Sequence, residues 1–551
     1  MPLFDLRLFH TMLPACANSF RSRGSLSMVR ARVTGKSSIT SANMEQRAAF
    51  DQNDVFAFLA DPATHGLREP VTRINTHGAA VFLAGKDVYK VKRAVRYPFM
   101  DYSTLAKRRW ACEREIAVNK ANAPDLYLGT VPISQDGPVL KFSGGGPIIE
   151  WAVHMRRFDE DRTFDRLASR NELTYDIITK LAGVAAASHA RALVAPGKDA
   201  GEVLQRLIEE TLVSLEAAPG IFAAYSAGKL RHAMEQAFKR GESLLSERAT
   251  QGQVRRCHGD LHLRNIVLIE DEPVLFDAIE FDETIATCDV LYDLAFLLMG
   301  LWTRGLPRHA NLLLNRYLWI CDDVESQLKG LSLLPLFLSL RAAIRAKVAI
   351  LQPGGGDAQA AEARHYFEAA CDLLAPRRLD LVALGGLSGT GKSTLATALA
   401  GAIGRAPGAV HLRSDIERKR LFEVRQFDRL PEEAYRPEIT AQIYQHLRDL
   451  AAIALEAGQS VIIDAVQLTP EERLAVKETA SRGAAHFTGL WLEAPVERLV
   501  ERVAKRQRDA SDATTGIVSA QARQPTGAMD WRRVDASGVA ETLVKTVLAM
   551  L

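Results

Sequence analysis

The chain has 551 residues, with 69 Lys or Arg side chains against 66 Asp or Glu, and its formal net charge is +3. Apolar residues make up 47% and charged residues 25%, which excludes a collagen-like, a disordered or a disulfide-scaffold protein. The length predicts two or more domains, because a single core stops growing well below it. The near-neutral charge gives no basic field of the kind that binds nucleic acid.

Residues 1–43 differ from the rest because they carry six basic side chains and one acidic one. This Ser- and Arg-rich composition is that of a transit peptide; the alternative is a disordered or mis-started segment ahead of Met28 or Met44. We favour the alternative, because nothing else in the sequence demands an organelle. No stretch is apolar over the ~20 residues that a membrane span needs. The scattered cysteines form no Cys-x-x-Cys pair and favour a reducing cytosol, so we expect a cytoplasmic protein.

Residues 44–375 are predicted to form one domain of the α+β class. A small sheet comes first and a larger helical part follows, with helical periodicity dominant from about Leu173. A β-rich stretch at 266–276 interrupts the helices. Strands are predicted at 81–83, 88–92, 126–133, 139–142 and 148–155, and a helix at 105–122.

A domain boundary is predicted near Pro376, where a helical stretch ends and a new apolar strand begins. In residues 376–551, strands alternate with helical patterns, which favours an α/β domain with a parallel sheet. These strands are predicted at 380–384, 409–413, 460–463 and 487–492.

The most specific motif is GLSGTGKS at 386–393, which fits G-x-x-x-x-G-K-[ST] between an apolar strand and a helix-forming segment. Its glycines let backbone N–H groups face phosphate oxygens at the start of the helix, where the helix dipole favours negative charge. Lys392 is expected to neutralise the β- and γ-phosphates of ATP, and Ser393 to offer its hydroxyl to Mg²⁺. The candidate nucleotide-binding residues are Gly386, Ser388, Gly389, Thr390, Gly391, Lys392, Ser393 and Thr394.

Two acids follow strands of this domain, at the strand ends where open α/β sheets bind ligands. Asp415 follows the strand at 409–413 and can be the general base that takes a proton from a substrate hydroxyl. Alternatively it caps the helix at 416–422, and both roles can hold at once. Asp464 follows the strand at 460–463 and is the candidate for holding the water shell of Mg²⁺ in the Walker B manner.

Three stretches carry a family resemblance: GGLSGTGKST at 385–394, RSDIERKRLF at 413–422 and VIIDA at 461–465. Through them residues 379–551 resemble the small P-loop kinases related to gluconate kinase, polynucleotide kinase and chloramphenicol phosphotransferase, with AAA-type ATP binding. The resemblance implies transfer of a phosphoryl group from ATP to a hydroxyl of a small molecule or a nucleic acid. It also implies a lid whose arginines reach the nucleotide phosphates, here Arg502 and Arg506. The arginine-rich helix that holds them is predicted at 497–508, and a solvated helix face is the alternative.

A second motif, HGDLHLRN at 258–265, keeps Asp260 and Asn265 at the D-x-x-x-x-N spacing of a kinase catalytic loop. At that spacing the Asp can accept the proton of the substrate hydroxyl, and the Asn amide oxygen can ligate Mg²⁺. The apolar stretch 274–276 then ends in Asp277, where a second metal ligand belongs, because Mg²⁺ prefers hard oxygen donors. The alternative is a surface turn in which the Asp and the Asn occur by coincidence. That alternative would have to account for both their spacing and the position of Asp277.

This stretch resembles the aminoglycoside phosphotransferase family, a branch of the protein-kinase-like fold. The resemblance implies that Asp260 is the base and that Asn265 and Asp277 are metal ligands. It also implies that Asp289 and Asp293 are structural acids that brace the loop.

The same resemblance extends upstream to VYKVK at 88–92, which is similar to the strand that carries the lysine for the nucleotide phosphates. Lys90 and Lys92 point to one face because the period of a strand is two, and we favour Lys90. Glu115 is its implied ion-pair partner, with Glu113 as the rival and a solvated helix face as a further alternative. The adenine-binding hinge of the family would fall at 155–158.

Residues 45–551 as a whole resemble a bacterial fusion family. The implied architecture is an α+β, bilobal, protein-kinase-like domain followed by an α/β P-loop NTPase domain with a parallel sheet. We therefore expect a bifunctional ATP-dependent phosphotransferase that uses ATP and Mg²⁺ in both domains and small hydroxylated molecules as acceptors. The alternatives are an N-terminal pseudokinase that senses a ligand for the P-loop kinase, a nucleic-acid end kinase, and an aminoglycoside resistance enzyme.

Overall fold

The computed structural model describes residues 51–97, 100–195, 200–351, 356–505 and 510–551. The predicted N-terminal segment at 1–43 and the candidate lid residue Arg506 lie outside these ranges. The chain divides into two compact units between Arg157 and Phe158. This division falls within the stretch predicted as the hinge of a bilobal domain.

The first unit carries one large antiparallel sheet. Its helices are α1 (Gln52–Ala60) and α2 (Leu105–Asn119). Its strands are β1 (Thr72–Asn75), β2 (Ala79–Ala84), β3 (Asp87–Lys92), β4 (Arg96–Tyr97), β5 (Met100–Asp101), β6 (Tyr127–Asp136), β7 (Val139–Phe142) and β8 (Ile148–Arg156). Six strands form the sheet in the order β1-β2-β3-β8-β6-β7, while β4 and β5 pair only with each other. The predicted strands are confirmed, and so is the predicted helix, although it ends at Asn119 rather than at residue 122.

One face of this sheet packs on α1. Phe56 of α1 forms a buried cluster with Phe82 of β2, Val91 of β3 and Ile133 of β6. Full burial of an apolar side chain of this size contributes about 1.5–3 kcal/mol, so the cluster holds β3 firmly in place. Because Val91 faces α1, the residues on either side of it in β3 face the opposite side of the sheet.

The second unit begins with a mainly helical part, as predicted. Its helices are α3 (Phe164–Ser169), α4 (Tyr175–Arg191), α5 (Ala200–Glu216), α6 (Ala224–Thr250), α7 (Glu283–Ala286), α8 (Val290–Trp302), α9 (Pro307–Ile320), α10 (Val324–Gly330), α11 (Leu334–Leu351) and α12 (Asp357–Leu374). Its strands are β9 (Val254–Arg256), β10 (Ile266–Ile269), β11 (Glu272–Leu275) and β12 (Thr287–Asp289). The predicted β-rich stretch is the hairpin β10–β11, and β9 pairs with β12. Within the described ranges, no helix combines the length and the apolar character that a membrane crossing requires.

The second unit continues into a parallel sheet, which confirms the predicted α/β class. Its strands are β13 (Asp380–Gly385), β14 (Val410–Arg413), β15 (Val461–Asp464), β16 (His486–Glu493) and β17 (Arg532–Asp535). Its helices are α13 (Lys392–Ala400), α14 (Ser414–Leu421), α15 (Pro437–Glu456), α16 (Pro470–Arg482), α17 (Val496–Ala504), α18 (Thr515–Ala522) and α19 (Ala540–Leu548). The strand order is β14-β15-β13-β16-β17, with all pairs parallel. The edge strand β17 was not foreseen, because RRVD is short and mostly exposed and so lacks an apolar run.

Helix α9 of the helical part binds the edge of this parallel sheet. The side-chain nitrogens of Asn311 and Asn315 donate to the carbonyl oxygen of Ala409 at 3.0 and 3.1 Å. The backbone N–H of His411 in β14 donates to Oδ1 of Asn315 at 2.7 Å. These bonds satisfy backbone groups that an edge strand otherwise leaves unpaired. The boundary predicted near Pro376 falls between α12 and β13, inside the second unit, and it stays a prediction.

Candidate active sites

In the first unit, one buried glutamate is held by both candidate lysines. The Nζ of Lys90 lies 2.8 Å from Oε1 of Glu115, and the Nζ of Lys92 lies 2.6 Å from Oε2. All three side chains are at most 1% exposed. Glu113, the rival partner, is exposed and pairs with Arg109. The geometry therefore selects Glu115 over Glu113 as the partner, while it leaves both lysines as candidates for the nucleotide phosphates.

The charge of Glu115 is maintained by its two lysines. Burial acts to raise the pKa of this carboxyl, but the attraction of Lys90 and Lys92 outweighs it and lowers the pKa to about 2. Because the native pKa lies below that of the unfolded chain, the ionised carboxylate stabilises the fold at pH values above about 4.5 and ceases to do so as the pH falls through about 2.

We expect this linkage to appear in the acid unfolding of the protein. Wild type should be more stable than Glu115→Gln by on the order of 3 kcal/mol at neutral pH, and the difference should shrink between pH 4.5 and pH 2. Urea unfolding of both proteins across this pH range measures it, with the exposed Glu113→Gln as the control that leaves the profile unchanged. A stability difference that does not depend on pH would contradict the assignment.

In the second unit, the predicted catalytic loop brings Asp260 and Asn265 together. The side-chain nitrogen of Asn265 donates to the backbone oxygen of Asp260 at 3.0 Å and to its carboxylate Oδ2 at 3.1 Å. Because the amide nitrogen is used in this way, the amide oxygen is the atom of Asn265 that can ligate a cation. Gly259 makes the turn possible: its φ is +82°, and a Cβ there would approach Ala286 to 3.1 Å.

The hairpin β10–β11 sets Asp277 beside this loop. Ile266 pairs with Leu275 at its open end, and the backbone N–H of Phe276 donates to the carbonyl of Asn265 at 3.0 Å. Asp277 follows directly, with a φ of +60° in the left-handed region. Few residues other than glycine adopt this conformation, and such strained positions cluster at functional sites. The two predicted metal ligands therefore occupy the same end of one hairpin.

Asp293 of α8 braces the start of the loop, as the family resemblance implies. Its carboxylate accepts the backbone N–H groups of His258 at 3.2 Å and Gly259 at 2.9 Å, and it also lies 3.1 Å from Nε2 of His189. Asp289, the other implied structural acid, forms a buried ion pair with Arg248. The carboxylates of both acids therefore make structural contacts within this unit.

Burial tunes the charged groups around the candidate base. It raises the pKa of Asp260, while the interactions of this carboxyl with the His258 imidazole and with the positive charges of Arg341 and Arg345 oppose the rise. Burial also lowers the pKa of His258, whose Nε2 lies 2.9 Å from the carbonyl oxygen of Phe276. A raised pKa makes a carboxylate a better proton acceptor at neutral pH.

In the parallel-sheet domain, the glycine-rich motif joins β13 to α13. Gly391 is the N-cap of α13, with a φ of +89°, so the helix begins at Lys392. Gly389 also has a φ of +89°, and a Cβ there would lie 2.8 Å from the carbonyl oxygen of Leu499. The Nζ of Lys392 donates to the carbonyl oxygens of Gly386 and Leu387 at 2.8 and 3.0 Å. The side chain of Lys392 therefore bends back over the loop and binds its backbone.

Asp464 lies at the carboxyl end of β15, in register with Leu384 of β13 and Arg413 of β14. Its Oδ2 is 3.2 Å from Nε2 of His411 and 3.5 Å from Nε of Arg413. Burial acts to raise the pKa of Asp464, but the hydrogen bond from His411 and the charges of Arg413 and Lys392 lower it. The side chain therefore stays ionised beside the P-loop, as a metal-binding carboxylate must.

The structure contradicts the alternative that Asp415 caps the helix predicted at 416–422. The helix α14 begins at Ser414, earlier than predicted, and its N-cap is Arg413. Asp415 thus lies inside the first turn, where a negative charge is favourable to the helix dipole but is not a cap. Its half-buried carboxylate lies 4.0 Å from Nη2 of Arg413, which itself contacts Asp464. The base role stays a prediction.

The arginine-rich helix is shorter than predicted, since α17 ends at Ala504. Arg502 donates to the carbonyl oxygen of Ala536 at 2.9 Å, and it lines a cavity of about 560 Å³ together with Thr390, Gly391 and Thr394 of the P-loop region. This arrangement brings Arg502 to the predicted nucleotide site. Arg498 bonds to the carbonyl of Ser537 instead.

Sequence reasoning missed several residues of these sites. His411 and Arg413 flank Asp464, and Gln521 accepts the backbone N–H of Ser388 in the P-loop at 2.9 Å. Near the catalytic loop, His262 lies 3.5 Å from the carboxylate of Asp260. His262 and Arg413 lie within the motifs quoted above, whereas His411 and Gln521 had no local signal.

Comparison with known proteins assigns two parts of the chain to described families. Residues 143–331 match a family described as "Phosphotransferase enzyme family", and residues 381–526 match one described as "AAA domain". This pairing identifies the chain as a kinase. It carries a domain of the aminoglycoside phosphotransferase type followed by a P-loop domain of the AAA type.

Several proteins are similar to this kinase over much of its length or over one domain. An uncharacterized protein of Mycobacterium tuberculosis (strain ATCC 25618 / H37Rv) is 28% identical over 481 residues, covering 85% of this chain and 93% of that protein. A gluconokinase from Sinorhizobium meliloti 1021 is 21% identical, covering 31% of this chain and 92% of its own, with a TM-score of 0.22. A choline/ethanolamine kinase family protein from Mesorhizobium loti is 14% identical, covering 59% and 94%, with a TM-score of 0.37.

Proposed function

We propose that this kinase is bifunctional, and that each domain transfers the γ-phosphoryl group of ATP to a hydroxyl of a small molecule. The observation that carries the proposal is that the chain holds two separate sets of candidate catalytic groups. One is the loop with Asp260 and Asn265 beside Asp277, and the other is the P-loop with Lys392 beside Asp464.

In the N-terminal domain, Asp260 would accept the proton of the acceptor hydroxyl as its oxygen attacks the γ-phosphorus. Asn265 would orient the Asp260 carboxylate through its amide nitrogen. Asp293 would hold the loop backbone in the required conformation. Lys90, with Glu115 as its partner, would neutralise the nucleotide phosphates.

In the C-terminal domain, the backbone of the P-loop and Lys392 would bind the β- and γ-phosphates. Arg502 would stabilise the negative charge that moves with the phosphoryl group. Asp415, at the end of β14, would accept the proton of the second acceptor. Arg506 is proposed as a further phosphate contact on the family resemblance alone.

Both sites carry hard oxygen donors that suit Mg²⁺. In the N-terminal domain these are the amide oxygen of Asn265 and the carboxylate of Asp277. In the C-terminal domain they are the hydroxyl of Ser393 and the ionised carboxylate of Asp464. The bound ion would supply charge neutralisation at the β- and γ-phosphates.

Two observations favour this proposal over its alternatives. A ligand sensor would have no need for Asp260, Asn265 and Asp277 in one constellation, and a net charge of +3 gives a nucleic-acid end kinase little electrostatic support.

We also propose a cytoplasmic location, because the five cysteines in the described part of the chain are free thiols, as in a reducing compartment.

The test is transfer of label from γ-labelled ATP into an extract of small metabolites. Two labelled products are expected, one from each domain. Separating and identifying these products identifies both acceptors. Label that appears only in added oligonucleotides, with a steep dependence on salt, would overturn the proposal in favour of a nucleic-acid kinase.

The choice between Lys90 and Lys92 has its own test. We expect Lys90→Met to lower kcat/KM for ATP in the N-terminal reaction by 10²–10³-fold or so, and Lys92→Met to lower it by less than about tenfold. Each change removes one bond to Glu115, so each variant controls for the effect of the other on folding. The reverse ranking would assign the phosphate role to Lys92.

A further inference from the structure

A shallow indentation beside Asp260 is lined by arginines. The catalytic loop, α8, the segment after α8, α11 and α12 contribute its walls. They include His262, Arg264, Phe296, Arg304, Arg345 and Tyr366. Its enclosed volume is only about 20 Å³, so a bound molecule must lie largely in the open mouth. Among the described residues, no Asp or Glu lines this indentation.

Two links connect the indentation to the candidate base. His262, in its wall, lies with Nε2 3.5 Å from Oδ2 of Asp260. The positive charge of Arg345, which also lines the indentation, acts to lower the pKa of the Asp260 carboxyl. The indentation is therefore next to the loop that carries the candidate base, with His262 between them.

The arginines differ in how they are held. Arg345 is 6% exposed, and its guanidinium lies 3.2 Å from Glu362 and 5.4 Å from the ring centre of Tyr366. Arg264 lies 3.6 Å from Asp165. Arg304 is exposed and donates to the carbonyl of Gly300 at 2.8 Å, and within the described ranges it forms no ion pair. The lining thus combines a buried guanidinium, held by Glu362 and Tyr366, with an exposed one.

We propose that the acceptor of the N-terminal domain is an anionic, hydroxyl-bearing small molecule, whose phosphate or carboxylate group binds Arg304, Arg345 and Arg264. Guanidinium groups bind both anions through paired N–H donors, whereas the exposed guanidinium of Arg304 repels a cationic acceptor such as an amino sugar or choline. This inference rests on the proposed function of the same domain and adds the class of its substrate.

The reaction follows from this placement. The hydroxyl oxygen of the anionic acceptor forms a bond to the γ-phosphorus of ATP, while the bond from that phosphorus to the β–γ bridging oxygen breaks. ADP leaves with the electron pair, and the hydroxyl proton passes to the carboxylate of Asp260. The product carries the original anionic group and a new phosphate.

The first arm of the test measures binding to the full chain, with Lys392→Met to suppress binding of phosphates at the P-loop. Calorimetric titrations use four probes that all carry a hydroxyl: glycerol 3-phosphate, glycerate, glycerol and choline. We expect the two anions to bind at least about tenfold more tightly than glycerol or choline, since hydrogen bonds to charged groups contribute at this level. Tighter binding of glycerol 3-phosphate than of glycerate would identify phosphate as the recognised group, and the reverse would identify carboxylate.

The variants separate recognition from folding. Arg304→Ala should weaken anion binding by about tenfold or more, Arg304→Lys should retain part of it, and the exposed Arg364→Ala on α12 should leave it unchanged. Melting temperatures of all three show whether the fold is intact. The inference is overturned if choline binds as well as the anions, if neither anion binds, or if Arg304→Ala binds as wild type does.

The second arm repeats the labelling experiment on an extract divided by an anion exchanger. Label is expected from the retained, anionic fraction. Label from the unretained fraction alone would overturn the inference while the proposed kinase function stands. No label from either fraction, with the binding pattern intact, would overturn the N-terminal kinase function while the anion-binding site stands.

Discussion

Asp260→Asn is expected to remove the phosphoryl transfer of the N-terminal domain almost completely. A positioned general base contributes about 10²–10⁴-fold to the rate, so we expect kcat to fall by this factor. The KM for ATP should change little, because Asp260 is predicted to contact the acceptor and not the nucleotide. An asparagine can still accept the 3.1 Å hydrogen bond from Asn265 through its amide oxygen, so the loop is expected to keep its conformation.

The matched control for this change is Asp322→Asn. Asp322 is an exposed aspartate of the same unit, and it lies outside the loop and the hairpin. It should keep full activity. Labelled product that persists in Asp260→Asn within about tenfold of wild type would contradict the assignment of the base.

Lys392→Met is expected to abolish the other product. The methionine keeps the length of the side chain and loses the charge that is predicted to face the β- and γ-phosphates. Loss of one such contact typically lowers kcat by about 10²–10³-fold. The exposed Lys477→Ala on α16 is the control that should leave transfer unchanged.

Together the two variants decide how the domains are related. Two labelled products, each lost in only one variant, would establish two independent kinases. A single product that is lost with Lys392→Met and unaffected by Asp260→Asn would overturn the N-terminal activity and favour the sensor interpretation. Loss of both products in each variant would contradict independence and indicate that the two reactions are linked.

Much of the fold could be predicted because its signals are local. The apolar strand before residues 386–393 and the helix after them place the P-loop without any knowledge of distant contacts. The spacing of Asp260 and Asn265 likewise predicts their proximity, since five residues in one loop cannot separate far. The helix start at α14 was less accurate, because helix ends depend on caps and neighbouring contacts that a single sequence does not reveal.

The parts of the sites that were missed depend on contacts between distant segments. His411 reaches Asp464 because β14 and β15 are parallel neighbours, although 53 positions separate them. Arg304 and Arg345 join the loop around Asp260 because α8 and α11 pack in one helical part. Neither relation leaves a periodic or spaced pattern in the chain.

The local motifs alone predict that the chain binds and transfers phosphoryl groups, because backbone geometry and residue spacing within short segments create the P-loop and the predicted catalytic loop. Tertiary structure decides which charges surround them. Glu115 is ionised because two strand lysines face it, and Asp464 because an adjacent strand supplies His411 and Arg413. Electrostatic interactions act through space and not along the chain, so the properties of both sites depend on packing that brings distant residues within a few ångströms.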